Sequence, residues 1–263
     1  MTGAGATELQ RQLHDDPDAR LPGLRFHGAD MRGADLADAR IACLSLRGAV
    51  LDGANLAGAT LQHVDLTGAS LVGANLAGAT LRLVSANGAG LRGADFTRAY
   101  LDVADLSGAD LRDADLRGAA LHGCLLNRAR LDAADLTRAV LGECACAGAS
   151  FRGALFRGAN TAGSRFVGAD LDGARDFARC RELVAEILRT LAGELDDPEA
   201  IKLIGAVSAG ERWCYSEWAG LLAGTPDHRA TALRFLEKYP ESGIATTLKA
   251  AERLRAASAA TAG

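Results

Sequence analysis

The chain has 263 residues, of which 49% are hydrophobic and only 5% aromatic. That is ample for a substantial core, although one with few large rings. With a formal net charge of −4, no charged-then-apolar leader and no apolar run long enough for a bilayer, a cytoplasmic protein is expected, without direct nucleic-acid or membrane binding. The cysteines form no spaced disulfide framework, which fits a reduced compartment.

In chain order, Glu8 to Leu13 reads as a short N-terminal helix, and Asp15-Asp16-Pro17 breaks it. From Phe26 to Leu171 every fifth residue is apolar or small, as in Phe26, Met31, Leu36, Ile41, Leu46 and Leu51. Two residues earlier lies a second inward series, mostly Ala, and Gly often follows each centre by two. A period of five fits neither helix nor strand and marks an internal repeat. Every fourth unit differs: its Ala position reads Leu24, Leu44, Val64, Val84, Ala104, Cys124, Cys144, Ser164. A coil of twenty residues is therefore expected, with coils about 4.8 Å apart.

Past about Asp176 the spacing becomes helical. Cys180, Leu183, Val184, Ile187, Leu188 and Leu191 share one face. Further helices are expected from Asp197-Pro198, around Trp213 to Leu222, from Thr225-Pro226 to Tyr239-Pro240, and after Ser242. The expected organisation is an N-terminal cap over 1–23, a repeat region over 24–175, an all-α domain over 176–256 and a disordered tail over 257–263.

Units such as Ala34-Asp35-Leu36, Ala54-Asn55-Leu56, Ala74-Asn75-Leu76, Ala104-Asp105-Leu106, Ala114-Asp115-Leu116 and Ala134-Asp135-Leu136 resemble the pentapeptide-repeat family. The resemblance implies a mainly β fold, a right-handed quadrilateral β-helix with four pentapeptides per coil. Some members of that family are understood as DNA mimics that protect DNA gyrase or topoisomerase IV. It therefore implies a topoisomerase inhibitor in antibiotic or self-resistance as one reading, with a homodimer built through C-terminal helices. Those mimics are strongly acidic. Here residues 21–175 hold 16 acidic and 16 basic side chains, and no insertion forms a projecting loop.

The sequence offers no paired acid, base or nucleophile, no phosphate-binding loop and no metal-ligand spacing. Neither an enzyme, a cofactor nor a metal is expected. Cys43 and His63 share a column in successive coils, but Leu83 and Val103 follow them and supply no third ligand. Cys124, Cys144 and Cys146 fall at inward positions and read as small core residues. A third reading, an enzyme or a small-molecule site in the helical part, would use Glu211, Asp227 or His228.

The leading expectation is a non-enzymatic interaction scaffold for a protein partner. Its candidate surface is apolar: Leu83 and Val103 at a corner where Gly is expected, Tyr100 and Val140 on the wall before it, and Leu125 on the wall after it. Trp213 and Tyr215 of the helical part join that set. The candidate mimic face is Asp110, Asp113, Asp132, Asp170 and Asp172. The stacked series Asp35, Asn55, Asn75, Asp95, Asp115, Asp135 is expected to accept local backbone hydrogen bonds at the turns.

Overall fold

The structure is a computed structural model that describes residues 26–177, 180–194, 198 and 226–242. From residue 26 the chain winds as a parallel β-solenoid. Four ladders join residues twenty apart, one on each wall. On the first wall bridges run from Ser45 to Arg165, on the second from Asp30 to Asp170, and on the third from Asp35 to Arg175. The fourth wall is a six-stranded parallel sheet in sequence order: β1 (Arg40–Ala42), β2 (Thr60–Gln62), β3 (Thr80–Arg82), β4 (Tyr100–Asp102), β5 (Ala120–His122) and β6 (Val140–Gly142).

The five-residue unit follows from what one wall needs. The centre residue points inward and fills the axis, as Leu51, Leu71 and Leu111 do at 0–1% exposure. The Ala two residues earlier is also buried and lets opposite walls approach. Between them, one residue pairs with the coils on either side. Asn55 N–H donates back to Ala34 C=O at 2.9 Å, and Leu56 N–H donates forward to Asn75 C=O at 2.7 Å. Backbone polarity is thus satisfied along the rod, coil to coil.

Three of the four corners close with a bond from the next Ala N–H to the centre carbonyl, such as Ala54 to Leu51 at 2.9 Å. The residue inside that turn has left-handed φ, for instance 63° at Gly73. Glycine adopts this without a Cβ penalty. The Asp or Asn before the centre ties the same corner down. Asp95 accepts the Thr97 N–H at 2.8 Å, Asp115 that of Arg117 at 3.1 Å and Asp135 that of Thr137 at 2.9 Å. These are the local turn bonds expected of the stacked series.

The fourth corner departs from the expectation of Gly. A strand runs into it from β1 to β6, and among the described residues the bond from the next inward residue to the centre carbonyl closes it only at the last coil, where Ser164 N–H donates to Thr161 C=O at 3.0 Å. Cys43, His63, Leu83, Val103 and Glu143 all stand there with φ of 52–56°. This corner tolerates side chains, although left-handed φ costs an L-residue about 1–2 kcal/mol.

The core continues without a break from the rod into two helices, α1 (Arg181–Glu194) and α2 (Pro226–Lys238), and a short 3-10 turn at Pro240–Ser242. α1 buries Cys180's neighbours Leu183, Val184, Ile187, Leu188 and Leu191. A chain of rings crosses the junction. Phe151 lies 5.4 Å from Phe156, Phe156 6.4 Å from Phe177, and Phe177 6.2 Å from Phe235 and 5.7 Å from Tyr239. A polar latch sits beside it. Thr161, a polar residue at an inward position with 1% exposure, donates its hydroxyl to Glu182 of α1 at 3.0 Å, and Gly163 N–H donates to the same carboxylate at 3.4 Å. The last coil is thereby covered, as a solenoid end requires. The expected helices at 8–13, from Asp197 and around Trp213, and anything beyond Ser242, lie outside the described residues.

Candidate interaction surfaces

The apolar candidates converge on one edge. Leu83 and Val103 stand on adjacent coils of the fourth corner, 45% and 53% exposed. Tyr100 is 40% exposed on β4, and Leu125 is 42% exposed on the first wall, just past the corner. Val140 is half-buried at the start of β6. Tyr100 leans on His122, with ring centroids 5.6 Å apart. Arg82 and Asp102 pair at 3.2 Å beside the patch. Glycines follow at the same corner: a Cβ on Gly123 would meet Val103 at 3.7 Å. Trp213 and Tyr215 lie outside the described residues. Val72 and Val167 are also exposed, on other corners. Their separation from the patch is visible only once the coils are stacked.

The acidic candidates share the second wall and its corner, but each carboxylate has an arginine. Asp110 takes two bonds from Arg112, the shorter at 2.5 Å. Asp113 pairs with Arg92 at 3.0 Å, and Asp132 with Arg130 at 3.8 Å. Arg152 bridges Asp170 at 3.3 Å and Asp172 at 2.7 Å. Hydrogen bonds from Arg112 hold the Asp110 carboxyl below the usual carboxylate range against some desolvation, and Arg117 does the same for Asp115. Such exposed pairs contribute little stability. Their effect is to cancel the field that a stack of carboxylates would project. Asp170 and Asp172 also border a cleft of about 430 Å³ beneath α1 and α2, with Glu186, Lys238 and Tyr239 on its far side. Glu211 and the side chains of Asp227 and His228 fall outside the described residues.

Among the described residues, cysteine placement separates one thiol from four. Cys43 is exposed, whereas Cys124, Cys144, Cys146 and Cys180 are buried. Contact with the Cys144 thiol, and then burial, pushes Cys124 up; burial first, and then the neighbouring Cys144, does so for Cys146, and burial, against a hydrogen bond with Thr161, takes Cys180 up to about 12. Cys43 and His63 assemble no cluster of metal-ligating side chains among the described residues. In a Cys214→Ser background, a thiol reagent is expected to titrate one fast cysteine in native protein and five in denaturant. A second fast thiol in native protein would contradict the packing of the axis.

No helix among the described residues is long and apolar enough to cross a membrane. A family model described as pentapeptide repeats matches this chain in 8 copies over residues 45–82, 84–118, 114–145 and 149–180. Among solved structures, the chain is similar to HetL, a pentapeptide repeat protein involved in heterocyst differentiation regulation in the cyanobacterium Nostoc sp. strain PCC 7120. That match has 24% identity, covers 68% of this chain and 96% of HetL, and has a TM-score of 0.34. A trypsin-treated form of QnrB1, a plasmid-mediated fluoroquinolone resistance protein, matches at 22% identity, covering 60% of this chain and 86% of that one with a TM-score of 0.32. A pentapeptide repeat protein of the Arabidopsis thaliana thylakoid lumen matches at 27% identity, covering 46% and 71% with a TM-score of 0.26. No curated protein matches significantly. Together with the four ladders and their twenty-residue register, the family match places the chain in the pentapeptide-repeat family.

Proposed function

We propose that the protein is a non-enzymatic interaction scaffold that docks a protein partner on the apolar fourth corner. One observation carries this reading. Leu83 and Val103 are exposed and apolar, and both hold left-handed φ, 52° and 53°. For β-branched Val103 that conformation is an outlier. Solvent exposure and backbone strain are two separate costs at one place. Strained, exposed apolar residues grouped together point to a contact surface. The flat β1–β6 wall beside them offers a rigid support.

The test uses the full chain as bait in cell lysate beside a Leu83→Gly, Val103→Gly, Leu125→Ser variant. Glycine suits both backbone angles, so this variant keeps its fold. A partner is expected to be captured by the native chain and lost, at least tenfold, with the variant. Equal capture by both would refute the corner as the docking site. Purified gyrase and topoisomerase IV form a second arm. Protection in a supercoiling assay that weakens with Asp110→Asn, Asp113→Asn and Asp132→Asn would replace this reading with DNA mimicry. The arginine partners of those carboxylates argue for no protection.

A further inference from the structure

A second surface lies on the other side of the β1–β6 wall, at the corner where the third wall turns into it. A groove of about 800 Å³ runs along this edge, and Arg98, Arg117, Arg138 and Arg157 line it, one from each of four successive coils. Its floor is small, Gly78 and Gly118 among it, and among the described residues no carboxylate lines it. The four arginines are not equivalent. Arg117 is held by Asp115, and Arg157 stands 3.3 Å from Asp176. Arg98 and Arg138 have no ion-pair partner among the described residues.

The two unpaired arginines also stand out in the backbone. They hold φ of 56° and 60° in a column that also holds Asp38, itself at 56°, and is otherwise occupied by Gly58, Gly78, Gly118 and Gly158. Each stem lies over the glycine of the next coil: a Cβ on Gly118 would meet Arg98 Cγ at 3.8 Å, and one on Gly158 would meet Arg138 Cγ at 3.7 Å. Side chains thus occupy backbone positions that favour none, and they are aligned along the rod. Their guanidinium groups suit two-point recognition of carboxylates.

We propose that this edge binds an extended acidic segment of a protein partner, with carboxylates at every third residue in polyproline II conformation. Arg98 and Arg138 are two coils apart, about 9.6 Å at the usual strand spacing. A polyproline II chain brings every third side chain to the same face at about 9.3 Å. Nucleic acid fits less well. The stacked carboxylates Asp95, Asp115 and Asp135 border the edge. They oppose a continuous phosphate backbone more than a segment with spaced charges. This surface does not involve the fourth corner, so it stands or falls separately.

Fluorescence anisotropy on the full chain at low salt tests it, with a labelled (Glu-Pro-Pro)4 peptide as probe. A peptide of the same composition with its four glutamates in one block, and a twelve-residue oligothymidylate, serve as comparisons. The periodic peptide is expected to bind best, and at least tenfold more weakly to an Arg98→Gly, Arg138→Gly variant. Glycine is native to that column, so the variant stays folded. Arg47→Ala, which removes a paired arginine from the first corner, is expected to change affinity less than twofold. Unchanged binding by the double variant would overturn the proposal. So would equal or tighter binding of the block peptide or the oligonucleotide.

Discussion

Phe177→Ala is expected to cost about 3–5 kcal/mol, the range for truncating a fully buried aromatic residue. Phe177 has 0% exposure and edge-on contacts with Phe156, Phe235 and Tyr239, at 6.4, 6.2 and 5.7 Å. Its ring joins the last coils to α2, and its carbonyl accepts the Cys180 N–H at 2.9 Å just before α1, so its loss leaves a cavity that neither side can close alone. In a solenoid each coil depends mainly on its neighbours, so the damage stays local. Amide hydrogen exchange is the measurement. Protection in α1 and α2 is expected to fall by two to three orders of magnitude, while amides of β2 to β4 hardly change. A uniform loss along the whole rod would show that the helices and coils unfold as one unit.

A charge in the middle of the axis should have the opposite reach. Leu101 is 1% exposed and lies in register between Leu81 and Leu121. Leu101→Asp places a carboxylate with apolar neighbours above and below it, at a cost of about 4 kcal/mol or more near neutral pH. The sign of the pH dependence follows from burial. Desolvation raises the folded-state pKa above the unfolded value of about 3.9. The penalty is then smallest below about pH 4, grows as pH rises and levels off above the folded-state pKa. Circular dichroism should show more β structure for this variant at pH 4 than at pH 8. An equal loss at both would mean that side-chain volume, not charge, breaks the coil.

Much of the rod was legible because its code is short. Leu at each centre, Ala two before it and Asp or Asn between them state one wall in five letters. The column from Leu44 to Ser164 marks every fourth wall and gives the coil. Thr161 was harder to place. In the repeat it is a polar residue at an inward position, and its reason is Glu182, twenty-one residues on and in a helix. The apolar edge was readable from Leu83, Val103, Tyr100 and Leu125, since register alone brings them together. The pairing of Asp113 with Arg92 was not, because it crosses coils diagonally, twenty-one residues apart rather than twenty. Nor was the difference between Arg98 and Arg117. Both are arginines on one wall, and only side-chain geometry shows that Asp115 engages one of them.

Five residues per wall and twenty per coil also make the rod a measuring device. Removing twenty residues from its middle would bring the helical end closer to the apolar edge by one coil, about 4.8 Å, with no change of direction. Removing five would instead turn the helical end by a quarter of a revolution relative to that edge. Distance between two binding elements on this chain is thus set in steps of twenty residues, and their relative bearing in steps of five.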